Sequence, residues 1–123
     1  MRLDFEIDKP IFQQIADEIE DAVFTGAFGE EGQIPSTTEI SVSFKINPAT
    51  VLKGMNVLVD KGIIYKKRGV GMFVCTGAKD KIKEERQTQF FQNYIANLIQ
   101  EAGKLGLSKE EILSMIERGY GNA

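Results

Sequence analysis

A chain of 123 residues, 42% hydrophobic and 27% charged, has room for one compact core with an appendage, the expected arrangement, or for two very small domains, and lacks the composition of a disordered protein. A single cysteine, Cys75, and the absence of histidine exclude an internal disulfide and deny zinc its usual ligand set, so no metal or cofactor is expected and reducing cytoplasm is the default setting. The formal charge of -3 argues against an indiscriminate polyanion binder, and no segment approaches the roughly 18 apolar residues of a membrane helix.

Ile11, Phe12, Ile15, Ile19, Ala22 and Val23 recur at helical spacing, with Asp17, Glu18, Glu20 and Asp21 on the other side, and predict a first helix. Pro10 suits its first turn, and Gly26, Gly29 and Gly32 end it. Ser36-Thr37-Thr38-Glu39 has capping-box spacing and opens a short second helix through Ile40 and Val42 toward Phe44, with Lys45-Ile46 as the turn. Asn47 as a cap and Pro48 at the first helical position begin a third helix, from Ala49 to about Lys61. Val51, Met55, Leu58 and Val59 are its expected core residues, Thr50, Lys53, Asn56 and Asp60 its outer ones, and Gly62 its left-handed stop.

Ile63-Ile64-Tyr65 and Met72-Phe73-Val74 are β-prone and bracket the basic, glycine-bearing loop Lys66 to Gly71, the pattern of a hairpin. After Gly77 a long helix is predicted, charged from Lys79 to Gln89, then apolar at Phe90, Phe91, Tyr94, Ile95, Leu98, Ile99 and Ala102, and closed by Gly103 and Gly106. Ser108-Lys109-Glu110-Glu111 is a second capping box, opening a last helix with Ile112, Leu113, Met115 and Ile116 inside and Gly119 at its end.

Helix, helix, helix, then hairpin is the order of a winged helix-turn-helix, which sets small polar groups at the front of one helix and a cation on a nearby loop, sharing one face. Charge distribution agrees. Residues 1–31 carry two basic against nine acidic side chains, residues 32–76 six against two, and residues 77–123 seven against seven. The basic middle suits a local DNA-binding face.

A helix amino end exposes unpaired N–H groups and partial positive charge that favour phosphate. Ser36, Thr37 and Thr38 are therefore candidates for phosphate or base-edge contact, and Asn47, Ala49, Thr50 and Lys53 for the major groove. Ser36 and Asn47 equally suit plain capping, which is compatible with contact. Arg68, beside Lys67, sits where a hairpin tip projects and could enter a narrow minor groove; a solvated turn is the alternative, and its place after a recognition helix favours contact. Gly69 and Gly71 join the candidate face chiefly through turn geometry. No nucleophile–base pair or phosphate-cradling Gly-Lys motif occurs, and adjacent carboxylates such as Asp17-Glu18 point apart on helices, so no enzymatic activity is expected.

Residues 9 to 77 resemble the DNA-binding domain of the GntR family of bacterial transcription regulators, through Pro10-Ile11-Phe12-Gln13-Gln14-Ile15, Ile34-Pro35-Ser36, Thr50-Val51 and Gly69-Val70-Gly71-Met72-Phe73-Val74. Asn47-Pro48-Ala49-Thr50-Val51 and the short tail with Glu101-Ala102-Gly103-Lys104-Leu105-Gly106-Leu107-Ser108 look like the YtrA subfamily, which usually lacks a large effector domain. Two family arginines are missing, replaced at Thr38 and around Pro48-Ala49, so their base contacts do not carry over and Thr50, Lys53 and Arg68 would take a larger share.

The resemblance implies an α+β, mostly helical fold: a winged helix-turn-helix DNA-binding domain at 9–77 followed by a two-helix dimerisation tail at 78–123. Phe90, Phe91, Tyr94, Ile95, Leu98 and Ile99 make a stripe too apolar for a solitary exposed helix, and the resemblance assigns it to a homodimer interface. Two-fold pairing then predicts an inverted-repeat operator with half-sites about 34 Å apart or a multiple. Repression, of a transporter operon in particular, is implied by resemblance alone. The tail leaves room for a small-molecule effector but shows no convergent polar set that identifies one. A winged helix used only for protein interaction, without DNA binding, is the rival reading.

Overall fold

The computed structural model describes residues 1–121. In chain order the elements are α1 (Ile11–Thr25), α2 (Thr37–Phe44), α3 (Pro48–Asp60), β1 (Ile64–Lys67), β2 (Gly71–Val74), α4 (Ala78–Phe90), a π-helical turn (Phe91–Ile95), α5 (Ala96–Lys104) and α6 (Lys109–Gly121). The architecture is the expected one, mostly helical with one small antiparallel sheet. The backbone divides into two compact units, Met1–Glu84 and Glu85–Ala123.

In the first unit, α1 to α3 and the hairpin enclose one core. Ile15 and Ile19 from α1, Val51, Met55 and Leu58 from α3, and Ile63, Ile64 and Val74 around the sheet are fully buried. Each such side chain contributes about 1.5–3 kcal/mol by leaving water, so this layer fixes where α3 lies. Gly54 lets α1 and α3 meet closely: a Cβ there would stand 2.7 Å from the Phe12 carbonyl oxygen and 3.2 Å from the Ile15 side chain. The start of α4 belongs to the same core through buried Ala78 and Ile82. Before α1, the buried Gln14 amide donates to the Asp4 and Lys9 carbonyls and accepts from the Asp4 N–H, tying the N-terminal segment down.

Local signals account for the helix ends. The Ser36 hydroxyl accepts from the Glu39 N–H at 3.0 Å while the Glu39 carboxylate accepts from the Ser36 N–H at 3.2 Å, a complete capping box. Asn47 Oδ1 accepts from the Ala49 N–H at 2.8 Å with Pro48 in the first turn. Between them Lys45 takes a left-handed conformation, φ 54°, held by Ser41, whose hydroxyl donates to the Ile46 carbonyl and whose carbonyl accepts the Ile46 N–H. Ser108 and Glu111 form the second predicted box at the start of α6.

Four details depart from the sequence expectations. Val59 is exposed, because the α3 core face is completed by Gly54 and Leu58 and leaves Val59 one step around the helix. The strands run to Lys67 and from Gly71, leaving only Arg68-Gly69-Val70 as the tip. Helix α6 passes Gly119 to Gly121, and Leu113, Met115 and Ile116 on it are exposed, since within the second unit two short helices cannot enclose a core. Gly103 lies inside α5, and the left-handed stop is Gly106, φ 68°.

The π-helical turn has a cause in the stripe itself. Apolar pairs at 90–91, 94–95 and 98–99 recur every four residues, more than the 3.6 of an ideal helix, and would drift around it. A wider turn, closed by the Ala96 N–H on the Phe91 carbonyl, offsets part of that drift. Among the described residues, no helix is long and apolar enough to cross a membrane.

Candidate nucleic-acid interface

The α2–α3 pair brings two of the predicted clusters into one substructure. Ile40, Ile46 and Val51 are buried in the shared core, which places the front of α2 (Ser36, Thr37 and Thr38) and that of α3 (Asn47, Ala49 and Thr50) at the ends of helices joined by one locked turn. Ser36 and Thr37 are half-buried and Thr38 exposed; Asn47, Pro48 and Ala49 are exposed and Thr50 is half-buried. Ser36 and Asn47 each spend a side-chain oxygen on their own helix, so any further contact uses their remaining polar capacity.

Along α3 the exposed residues Ala49, Leu52, Lys53 and Asn56 are three or four apart and make one outer face. The Lys53 ammonium sits 4.2 Å from the centroid of the Phe12 ring, a cation–π contact that draws this charge to the α1 side. Leu52 and Asn56 stand on the face without belonging to the predicted site. Leu52 carried no signal for this, since a leucine beside Val51 reads as core; it is 50% exposed.

The hairpin pairs Ile64 with Val74 and Lys67 with Gly71, so its tip is the three-residue loop Arg68-Gly69-Val70 with all three residues exposed. Gly69 has φ 76° and Gly71 φ 147°, conformations that L side chains rarely adopt. Gly71 is also under a neighbour: a Cβ there would lie within clash distance of the Gln33 amide. Lys67 extends its ammonium to 5.2 Å from the Phe73 ring centroid, and Tyr65 stacks on Phe73 at 5.9 Å. Three exposed cations, Lys66, Lys67 and Arg68, thus lie together at the outer end of the hairpin, with Lys67 lying over Phe73.

Two supports of this wing were invisible in the sequence. Residues Glu31 to Ile34 run beside β2, with Glu31 donating its N–H to the Val74 carbonyl, Val74 to Gly32 and Ile34 to Met72, so the hairpin carries a short third edge. Gln33 Nε2 donates to the Val70 carbonyl at 3.0 Å. Behind the wing, the Glu31 carboxylate accepts from the Tyr65 hydroxyl at 2.5 Å and from the Thr76 N–H and hydroxyl at 3.0 and 2.7 Å. The Tyr65 and Thr76 hydrogen bonds hold the Glu31 carboxyl below its ordinary range, and the bond to Glu31 raises the Tyr65 phenol above its own. Partners 34 and 45 residues away leave no local pattern to read.

In the second unit, Phe90, Phe91, Tyr94, Leu98 and Ile99 are exposed and Ile95 half-buried. Phe90 and Tyr94 rings lie 5.2 Å apart, and Tyr94 is 65% exposed. Between α5 and α6 opens an apolar cleft of about 550 Å³, lined by Ile95, Leu98, Ile99, Ala102, Ile112 and Ile116 among others. Among the described residues no cluster of His, Cys, Asp or Glu could hold a metal ion. Burial pushes the Cys75 thiol up, with the Glu31 charge adding to the effect.

Comparison with known proteins agrees with this geometry. Residues 11–74 match the family described as bacterial regulatory proteins, gntR family. The HTH-type transcriptional repressor YtrA of Bacillus subtilis is 26% identical over 117 residues, spanning 95% of this chain and 89% of YtrA. A crystal structure of a GntR-family transcriptional regulator from Bacteroides thetaiotaomicron is 37% identical, with 91% of this chain and 97% of that one covered and a TM-score of 0.76. The DNA-binding domain of AraR, solved in complex with its operator ORE1, is 28% identical with a TM-score of 0.54, covering 60% of this chain and 90% of that domain.

Proposed function

The chain belongs to the GntR family of bacterial transcription regulators, YtrA-like in type, and from that premise we propose that it is a repressor that binds an inverted-repeat operator as a homodimer. The observation that carries this reading is the exposed front of α3, with its small and polar residues, on a unit whose hairpin ends in Lys66, Lys67 and Arg68. Residues 9–77 form the DNA-binding module. In it Ser36, Thr37 and Thr38 meet phosphate, Asn47, Ala49, Thr50 and Lys53 enter the major groove, and Lys67 and Arg68 follow the adjacent backbone or minor groove on the turn set by Gly69 and Gly71.

Residues 78–123 form the dimerisation tail, in which Phe90, Phe91, Tyr94, Ile95, Leu98 and Ile99 meet the same surface of a second copy. A row of exposed aromatic and aliphatic side chains beside an open apolar cleft supports a partner there. The cleft also offers a small effector a place, and resemblance to the YtrA subfamily supports a transporter operon as the regulated unit. A DNA partner puts the protein in the cytoplasm.

Selection of bound fragments from random-sequence duplexes, followed by a salt titration on the selected site, tests the reading. Two half-sites in inverted orientation and an affinity that falls steeply with salt are expected, since each neutralised phosphate releases counterions. No enrichment, with a salt-insensitive protein partner instead, would establish the fold as an interaction module.

A further inference from the structure

We infer that the outer face of α3 reads A·T base pairs, with Leu52 against a thymine methyl group and Asn56 on a neighbouring adenine. The inference rests on α3 being the recognition helix and deepens that reading to the bases it selects. Ala49, Leu52 and Asn56, at spacings of three and four, are all exposed, while Val51 and Met55 beside them are fully buried. A single exposed leucine on a protein surface is ordinary. This one stands between a methyl group and a carboxamide on a helix that carries exposed Lys53 and follows exposed Lys45, cations that suit a phosphate-lined groove.

The chemistry of the face selects among bases. No arginine lies between Asn47 and Asp60, so α3 offers no bidentate fork for guanine O6 and N7. Lys53, its one cation, is drawn over Phe12 on the α1 side and is a compact point charge rather than a planar fork. What remains in the middle is apolar surface and one amide. In the major groove only thymine presents a methyl group, and adenine N7 and N6–H₂ match the donor and acceptor of an asparagine amide. Guanine sets two acceptors at the same edge and would leave the Asn56 carbonyl without a partner.

The test uses the full-length protein and the half-site it selects from random duplexes. Each thymine is replaced in turn by uracil, which removes only the methyl group, and each adenine by 7-deazaadenine, which removes only N7; affinity is read by fluorescence anisotropy. Wild-type protein is expected to lose about fourfold at one thymine, the worth of one buried methyl group. Leu52→Ala should bind more weakly on the thymine site yet be indifferent to uracil at that position, and Asn56→Ala should be indifferent to 7-deazaadenine. Both residues are exposed, so circular dichroism should show both variants folded. Equal loss in Leu52→Ala and wild type, or a selected half-site of G·C pairs untouched by either analogue, would overturn the base assignment while leaving DNA binding in place. If no sequence is selected at all, the recognition-helix reading falls first and this inference with it.

Discussion

The Gln33 side-chain amide donates to the Val70 carbonyl at 3.0 Å, so a residue 37 positions earlier in the chain holds the tip of the wing. That hydrogen bond spans the loop whose conformation depends on Gly69 and Gly71, and the same amide lies against Gly71. Gln33→Ala removes the brace without altering a residue of the proposed interface. We expect a stability change under about 1 kcal/mol, as for an exposed hydrogen bond, together with faster amide exchange at Val70. Unchanged exchange across residues 68–71 would show that the strands alone hold the tip.

Arg68→Ala probes the wing itself. The side chain is exposed on a three-residue loop and supports no core contact, so melting temperature should be unaffected. Operator affinity should fall, and the slope of log affinity against log salt should decrease by about one if the guanidinium neutralises one phosphate. An unaltered titration would remove the hairpin tip from the interface.

The Glu31–Tyr65–Thr76 cluster gives stability a dependence on pH at both ends. Glu31 titrates below its ordinary range in the fold, so its contribution is present above the unfolded-state value and is lost as pH falls through the folded one. Tyr65 titrates above its ordinary range, so its contribution is complete below the unfolded-state value and is lost as pH rises through the folded one. The full effect therefore occupies the interval between the ordinary glutamate and tyrosine ranges. Tyr65→Phe should move the Glu31 carboxyl resonance in an NMR titration back toward its ordinary value. The surviving Thr76 bonds should keep that return incomplete. A Glu31 titration identical in variant and wild type would assign the shift to Thr76 alone.

Gly54 shows packing overriding helix propensity. Alanine is favoured over glycine by about 1 kcal/mol in a helix interior, yet the added Cβ would stand 2.7 Å from the Phe12 carbonyl oxygen, a backbone atom that cannot rotate away. Overpacking of this kind costs about 1–3 kcal/mol. We expect Gly54→Ala to lower the melting temperature by several degrees. A higher melting temperature would mean that α1 slides to accommodate the methyl group, and the Lys53–Phe12 contact should then be lost as well.

The features that could be read in the sequence are those encoded within a few residues. Ser36 with Glu39, Asn47 with Pro48 and Ser108 with Glu111 declare helix starts because donor and acceptor lie on one turn, and the order of helices and hairpin follows from them. Leu58 and Val59 could not be separated, since two adjacent apolar residues fit either phase of a helix face and only packing against α1 decides. The same ambiguity hid Leu52. The candidate helix front and wing tip were legible as segments, whereas their braces, Gln33 to Val70 and Glu31 to Tyr65 and Thr76, join positions that only the folded backbone brings together.

The tail permits a test that separates pairing from folding. Phe91 and Ile99 are 59% and 62% exposed, one in the π-helical turn and one in α5, so a charge at either position meets water in an isolated subunit. In a two-fold pair each would be buried opposite its own surface, and an unpaired carboxylate there costs several kcal/mol per subunit. Phe91→Glu and Ile99→Glu should therefore sediment as monomers with wild-type helix content. Affinity for a single half-site should be nearly retained, because the DNA-binding unit carries no substitution. Affinity for the two-half-site operator should drop by about 100-fold, since joining two modules raises apparent affinity without adding a contact. Dimers of unchanged stability in both variants would move the pairing surface away from this stripe and leave the exposed aromatic row in need of a different partner.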